Sequence, residues 1–143
     1  MGWGRRLVCV AVAAVVLLAV GVLFHFGLPI AAADIPPQFG NATLFRPWAG
    51  WTSTYMLLHP LWFGAVFAAV YLGLRSRGGL RVGWRGGVVY GAGVFLVGSL
   101  PVYLLAYAAF QVSPEVISWW VAQSLCQYLA AGAALGAVAG PAE

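Results

Sequence analysis

Few side chains of this sequence could take part in chemistry, and most of those lie inside long apolar stretches. His59, Tyr103 and Gln123 are predicted to lie about 10–12 Å below the same ends of three helices, because an α-helix rises about 1.5 Å per residue. Gln127 follows Gln123 by four residues and therefore shares its helix face. Two interpretations stay open for these four residues. They form either a small binding pocket inside the membrane or a network of interhelical hydrogen bonds that fixes packing.

The same inventory argues against several kinds of catalytic and cofactor site. The apolar stretches contain no Asp or Glu, so a Ser-His-Asp triad lacks its acid and a proton-driven small transporter lacks its membrane carboxylate. A metal site needs several ligands that converge, whereas His25 and His59 are predicted at different depths. The same mismatch disfavours a haem held between them. We therefore expect no enzymatic activity, no required cofactor and no metal site.

These residues are carried by four uncharged apolar runs, at residues 7–28, 51–74, 86–110 and 116–138. About 20 apolar residues are needed to cross the ~30 Å hydrocarbon core as a helix. Only helices and closed barrels cross lipid, since every backbone polar group must be satisfied internally. The chain has 143 residues, of which 7% are charged, and the runs occupy nearly all of it. The sequence predicts one all-α domain, an integral membrane four-helix bundle.

Prolines are expected to shape these helices. Pro29 is predicted to end the first helix. Pro60 and Pro101 lie inside the second and third runs and predict kinks, because a proline removes a donor and crowds the carbonyl four residues earlier. Ser113 followed by Pro114 predicts a capped start for the fourth helix.

Small residues recur every four positions toward one end of the helices, and bulky aromatic residues crowd the other end. Closely spaced backbones are a main source of helix association in lipid. We expect the glycines of the third and fourth helices to pack against each other, the alternative being a face for another subunit: Gly87, Gly91, Gly132, Gly136 and Gly140. The bundle should then be narrow at the glycine end and wider at the aromatic end.

Arginines mark one side of the predicted membrane. Arg5 and Arg6 precede the first run, and the segment between the second and third runs contains four more: Arg75, Arg77, Arg81 and Arg85. By the positive-inside rule both termini are cytoplasmic, which gives an N-in/C-in topology. The four-arginine segment should attract anionic lipid headgroups. Because the arginines flank spans and do not alternate with aromatics on a soluble face, we expect no nucleic-acid partner.

The first apolar run has a second interpretation as a secretory signal peptide, with small residues at 31–33 as its cleavage site. The apolar region of a signal peptide is about 7–15 residues long, and this run is longer, so we expect a retained span. Cys9 and Cys126 are the two cysteines. Their predicted depths differ, so we expect no disulfide between them.

The second half of the chain resembles small bacterial four-span membrane proteins that have no assigned activity, through Gly98-Ser99-Leu100-Pro101-Val102-Tyr103-Leu104-Leu105, Ile117-Ser118-Trp119-Trp120 and Gln127-Tyr128-Leu129. The resemblance implies a bacterial inner-membrane location and carries no catalytic motif. We expect a non-catalytic structural or accessory subunit of a membrane complex, in contact with the lipid bilayer and with a partner membrane protein or a second copy of itself. The alternative is a carrier or binder of a quinone, lipid or haem.

Overall fold

The computed structural model describes residues 2–31 and 50–140, and these ranges contain helices and no strand. A π-helical turn at Phe95–Ser99 joins the two halves of the third span. The helices are α1 Trp3–Ala31, α2 Trp51–Ser76, α3 Trp84–Val94, α4 Leu100–Ala109 and α5 Pro114–Ala139. Four stretches are long and apolar enough to cross a membrane: Trp3–Gly27, Leu58–Ser76, Trp84–Ala109 and Pro114–Ala139. The predicted all-α class and the four membrane-length helices are confirmed.

The first helix is longer at both ends than the apolar run that predicts it. It begins at Trp3, so Arg5 and Arg6 lie in its first turns. An arginine tolerates this position because its aliphatic stem lies along the helix while the guanidinium reaches the polar surface. The prediction that Pro29 ends the helix is wrong, since α1 continues to Ala31. A proline costs a helix one hydrogen bond and some bending, which does not by itself force the last residues out of helical geometry.

The spans alternate in direction, and α1 and α5 form the centre of the arrangement. α1 packs against α2 and α5, and α5 packs against α3. The starts of α1 and α3 and the ends of α2 and α5 therefore lie together. We call this side of the bundle the arginine end, after Arg5, Arg6, Arg75, Arg77, Arg81 and Arg85, and the opposite side the distal end.

Near the arginine end, α3 and α5 pack backbone against backbone. A methyl group added to Gly87 would overlap the carbonyl oxygen of Gly132, and one on Gly91 would overlap the carbonyl oxygen of Tyr128. One on Gly136 would lie 2.9 Å from the Cα atom of Trp84. We call this contact, formed by Gly87, Gly91, Gly132 and Gly136, the glycine seam. Gly140 is not part of it, because it faces the guanidinium of Arg5 from α1.

Between α2 and α3 the space is filled by aromatic rings instead. The ring centroids of Phe67 and Tyr90 are 4.7 Å apart, and those of Tyr71 and Tyr90 are 5.3 Å apart. The Tyr90 hydroxyl donates to the backbone carbonyl of Phe67 at 2.7 Å. Phe67, Tyr71 and Tyr90 are all at most 5% exposed. Bulky rings thus also lie in the glycine half, where the sequence analysis placed only small residues, and they hold α2 away from α3.

The third span accommodates Pro101 by a change of helix type. The backbone N–H of Leu100 donates to the carbonyl of Phe95, five residues earlier, which closes the π-helical turn just before the proline. Such wider turns relieve crowding within an α-helix, and Pro101 would otherwise press on the carbonyl of Val97. α2 runs through Pro60 as one helix. α5 starts as predicted: the Ser113 side chain caps it by accepting from the N–H of Val116 at 3.3 Å.

Candidate functional site

Two hydrogen bonds tie the third span to α5 below the distal end. The Tyr103 hydroxyl of α4 is bonded to the hydroxyl of Ser124. One turn further in, the Ser99 hydroxyl donates to the hydroxyl of Tyr128 at 2.8 Å. Ser124 is 6% exposed, so this pair is shielded from its surroundings. These bonds satisfy polar groups that would otherwise be costly to bury in an apolar interior.

The two glutamines of α5 lie on the other side of that helix, toward α1. Gln127 donates through Nε2 to the backbone carbonyl of Leu17 at 2.8 Å. A methyl group on Gly21 would lie 2.9 Å from Nε2 of Gln127 and 3.7 Å from Nε2 of Gln123. Gly21 therefore leaves room for the amide of Gln127, and the glutamine face is part of the α1–α5 packing.

His59 lies apart from these polar groups, at the surface of α2. Its imidazole is exposed and stacks on Phe63, with centroids 5.9 Å apart and planes inclined by 15°. Phe63 in turn stacks on Tyr128 of α5 at 5.2 Å. His59 thus forms the outermost ring of an aromatic column that begins in the core. Within the described chain it has no hydrogen-bond partner.

The four residues of the predicted pocket are therefore not brought together. Tyr103 faces α5, Gln123 and Gln127 face α1, and His59 faces outward. Counting residues along a helix fixes the depth of a side chain but not the direction in which it points. Ser124 and Tyr128 supply the partners instead. Both are polar residues inside a span, and that is the signal by which the sequence could have identified them.

His59 lies next to a break in the backbone hydrogen bonding of α2. Pro60 has no N–H, so the carbonyl of Met56 lacks its usual helical donor. Counted from Trp51, His59 is about 12 Å along the helix. Opposite this half of α2, the third span offers little cover, because α4 buries none of its residues. His59 is thus an exposed imidazole directly before the proline, on the distal half of α2.

The arginines predicted to meet lipid headgroups differ in their surroundings. Arg77, Arg81 and Arg85 are exposed, and Arg85 lies over the ring of Trp84 at 5.4 Å. Arg75 is partly buried and donates through Nη2 to the backbone carbonyl of Gly140, at the end of α5. It belongs to the packed bundle as well as to the surface.

The chain matches no family model, and neither a curated protein nor a solved structure resembles it significantly. The resemblance to small bacterial four-span proteins stays an expectation from the sequence. The function must therefore be inferred from the described geometry.

Proposed function

We propose that this chain is an accessory subunit of a membrane complex, without catalytic groups of its own, and that it binds a transmembrane helix of its partner through the distal half of α2. The observation that carries the proposal is the exposed imidazole of His59, which stands directly before Pro60 in α2. Pro60 has no N–H to donate to the carbonyl of Met56. Polar side chains inside spans usually face the bundle interior or a cavity. A polar group on the outside of a span indicates that something else completes its hydrogen bonding.

The other polar groups of the spans support this choice over a ligand pocket. Tyr103, Ser124 and Gln127 already have partners within the bundle, so they are committed to packing. A neutral histidine offers one donor and one acceptor, and the Met56 carbonyl offers a second acceptor. A partner helix with a Ser, Thr, Asn or Gln at this depth would satisfy them.

We place the complex in the bacterial inner membrane, with the arginine end in the cytoplasm. The six arginines at one end of the bundle support this orientation under the positive-inside rule. The bilayer and the partner span are then the two surroundings of the chain. Retention of α1 is supported by its packing, since Cys9, Ala13 and Leu17 are at most 2% exposed in the core.

The test compares two histidines that lie in different spans. The full chain is purified with its native lipid, and bound proteins are quantified for the wild type, for His59→Ala and for the control His25→Ala on α1. An interhelical hydrogen bond in a membrane is worth roughly 0.6–2 kcal/mol, so His59→Ala should lower partner recovery roughly 3- to 30-fold. His25→Ala should leave recovery unchanged.

A photo-crosslinking residue locates the contact independently. It is introduced at Trp62, which is 75% exposed near His59, and at Val15, which is 62% exposed on α1. We expect one crosslinked protein from position 62 and none from position 15. A monomeric species that carries an apolar small molecule lost in His59→Ala would favour the carrier alternative. Equal crosslinking at both positions would contradict the proposed binding face.

A further inference from the structure

The two halves of the third span are held against the bundle in different ways. α3 buries Gly86, Gly87, Tyr90 and Gly91, and two of these glycines belong to the glycine seam. α4 buries none of its residues. Because the seam joins two backbones, α3 is fixed against α5. α4 must be held by weaker contacts.

Tyr103 connects α4 to α5. Its hydroxyl is bonded to that of Ser124, and its ring centroid lies 6.3 Å from that of Trp120. The partly shielded residues of α4 are Leu100, Tyr103 and Ala106, which follow each other at intervals of three and share one narrow face. Separation of such a face costs little in a membrane, because lipid tails replace the apolar contacts that are lost. The hydrogen bond of Tyr103 is therefore the main resistance to movement of α4.

The junction between the two halves combines three features at which helices bend. These are the π-helical turn at Phe95–Ser99, Gly98 within this turn, and Pro101 directly after it. A methyl group on Gly98 would meet no atom within 4 Å, so no neighbouring side chain packs against this point. Ser99, the last residue of the turn, donates to the Tyr128 hydroxyl at 2.8 Å and ties the turn itself to α5. The turn is thus a pivot between a fixed half and a loosely held half.

The other end of α4 is also free to move over a limited distance. α4 ends at Ala109 and α5 begins at Pro114. These five residue steps span up to about 17 Å when the chain is extended. Packed helix axes lie about 8–10 Å apart, so the connection permits an outward movement of several ångströms.

We propose that α4 is a hinged half-span that turns outward about the π-helical turn. In the open form the bond between Tyr103 and Ser124 is broken, while the glycine seam and the bond between Ser99 and Tyr128 stay in place. Ser124 is 6% exposed in the closed form, and opening gives its hydroxyl access to the membrane. The distal half of the bundle then has a polar opening at its side. This equilibrium belongs to the chain itself and does not require the partner span proposed above.

The experiment measures the distance of each half of the third span from a common reference on α1. In a background with Cys9→Ala and Cys126→Ala, nitroxide labels are attached to the full chain in lipid nanodiscs through two pairs of introduced cysteines. One pair is at Val15 and Leu105 of α4, and the other is at Val15 and Val89 of α3, all of which are at least 62% exposed. Pulsed electron spin resonance then gives the distance distribution of each pair. We expect the 15–105 pair to have a second, longer component and the 15–89 pair to have a single narrow one.

Two variants connect the longer component to the hydrogen bond. Tyr103→Phe should raise the ratio of the open to the closed component about 3- to 30-fold, which corresponds to the roughly 0.6–2 kcal/mol of one interhelical hydrogen bond in a membrane. Tyr107→Phe removes a hydroxyl from the exposed side of the same helix and should leave the ratio unchanged.

Three outcomes would overturn the proposal. The first is a 15–105 distribution that stays as narrow as that of the 15–89 pair even in Tyr103→Phe. The second is equal broadening of both pairs, which would mean that the third span moves as a whole and not about the π-helical turn. The third is the same change of the ratio in Tyr107→Phe as in Tyr103→Phe.

Discussion

At the scale of single residues, the spans are held together by a small number of hydrogen bonds between hydroxyl and amide side chains. The bonds of Ser124 and Gln127 leave α5 in different directions, one toward Tyr103 of α4 and one toward α1. In lipid, association cannot rely on apolar burial between helices, because lipid tails are as apolar as leucine. Such bonds therefore specify which helix faces meet.

Tyr103→Phe should lower stability without changing the fold. The change removes the hydroxyl that pairs with Ser124 and leaves the buried Ser124 without that partner. We expect a loss of about 0.6–2 kcal/mol in the free energy of unfolding, measured in bicelles or mild detergent. Tyr107→Phe is the control, because Tyr107 lies on the same helix and is 52% exposed. An equal loss in both variants would show that the Tyr103–Ser124 bond does not stabilise the bundle.

At the scale of helices, the apolar runs predict the number of spans. They do not predict which face of each helix packs against its neighbours. The lengths of the four runs predicted four membrane-length helices, because lipid thickness sets the length. Depth counting placed His59, Tyr103 and Gln123 at one level, and the structure points them in three directions. The rotation of each helix about its own axis is set by its packing against neighbours, and the length of an apolar run does not determine it.

The prolines also show what the sequence predicts and what it does not. The position of an irregular turn is predictable from the sequence, and its geometry depends on the surrounding structure. The sequence predicts a kink at Pro101, and the structure has a π-helical turn directly before this proline. The sequence could not select this outcome, because a kink and a π-helical turn relieve the same crowding. The hydrogen bond from Arg75 to the carbonyl of Gly140 was equally hidden. It joins the end of α2 to the end of α5, which are far apart in the chain.

The glycine seam provides the prediction at this scale. Gly87→Ala places a methyl group onto the carbonyl oxygen of Gly132, and backbone atoms cannot move aside as a flexible side chain would. We expect a loss of about 1–3 kcal/mol or more in the free energy of unfolding, because α3 and α5 must separate.

The matched control for the seam is Gly93→Ala on the same helix. A methyl group there meets no atom within 4 Å. The substitution should be neutral or slightly stabilising, since alanine favours helices over glycine by up to about 1 kcal/mol. The measurement compares the thermal unfolding temperatures of the two variants under the same conditions. A Gly87→Ala protein as stable as Gly93→Ala would mean that α3 and α5 are not in contact at the seam.

At the scale of the whole molecule, the prediction concerns the proposed orientation in the membrane, with the arginine end in the cytoplasm. In a background with Cys9→Ala and Cys126→Ala, a single cysteine is placed at Arg81 or at Gln111, both of which are exposed. A membrane-impermeant maleimide should label position 111 in intact spheroplasts and position 81 only after lysis. Both positions should react in lysed cells, which controls for accessibility. The reverse order of labelling would invert the proposed topology.

The two ends of the bundle differ in how their helices are packed. This difference determines which surfaces can change in sequence during evolution. The glycine seam depends on backbone carbonyl oxygens and on the absence of side chains. A substitution there can break the contact between α3 and α5, and few substitutions can adjust it. α4, which buries nothing, and the outward surface of α2 carry no such restriction. During evolution, new binding partners should therefore arise through substitutions on those two surfaces, while the glycine seam stays unchanged.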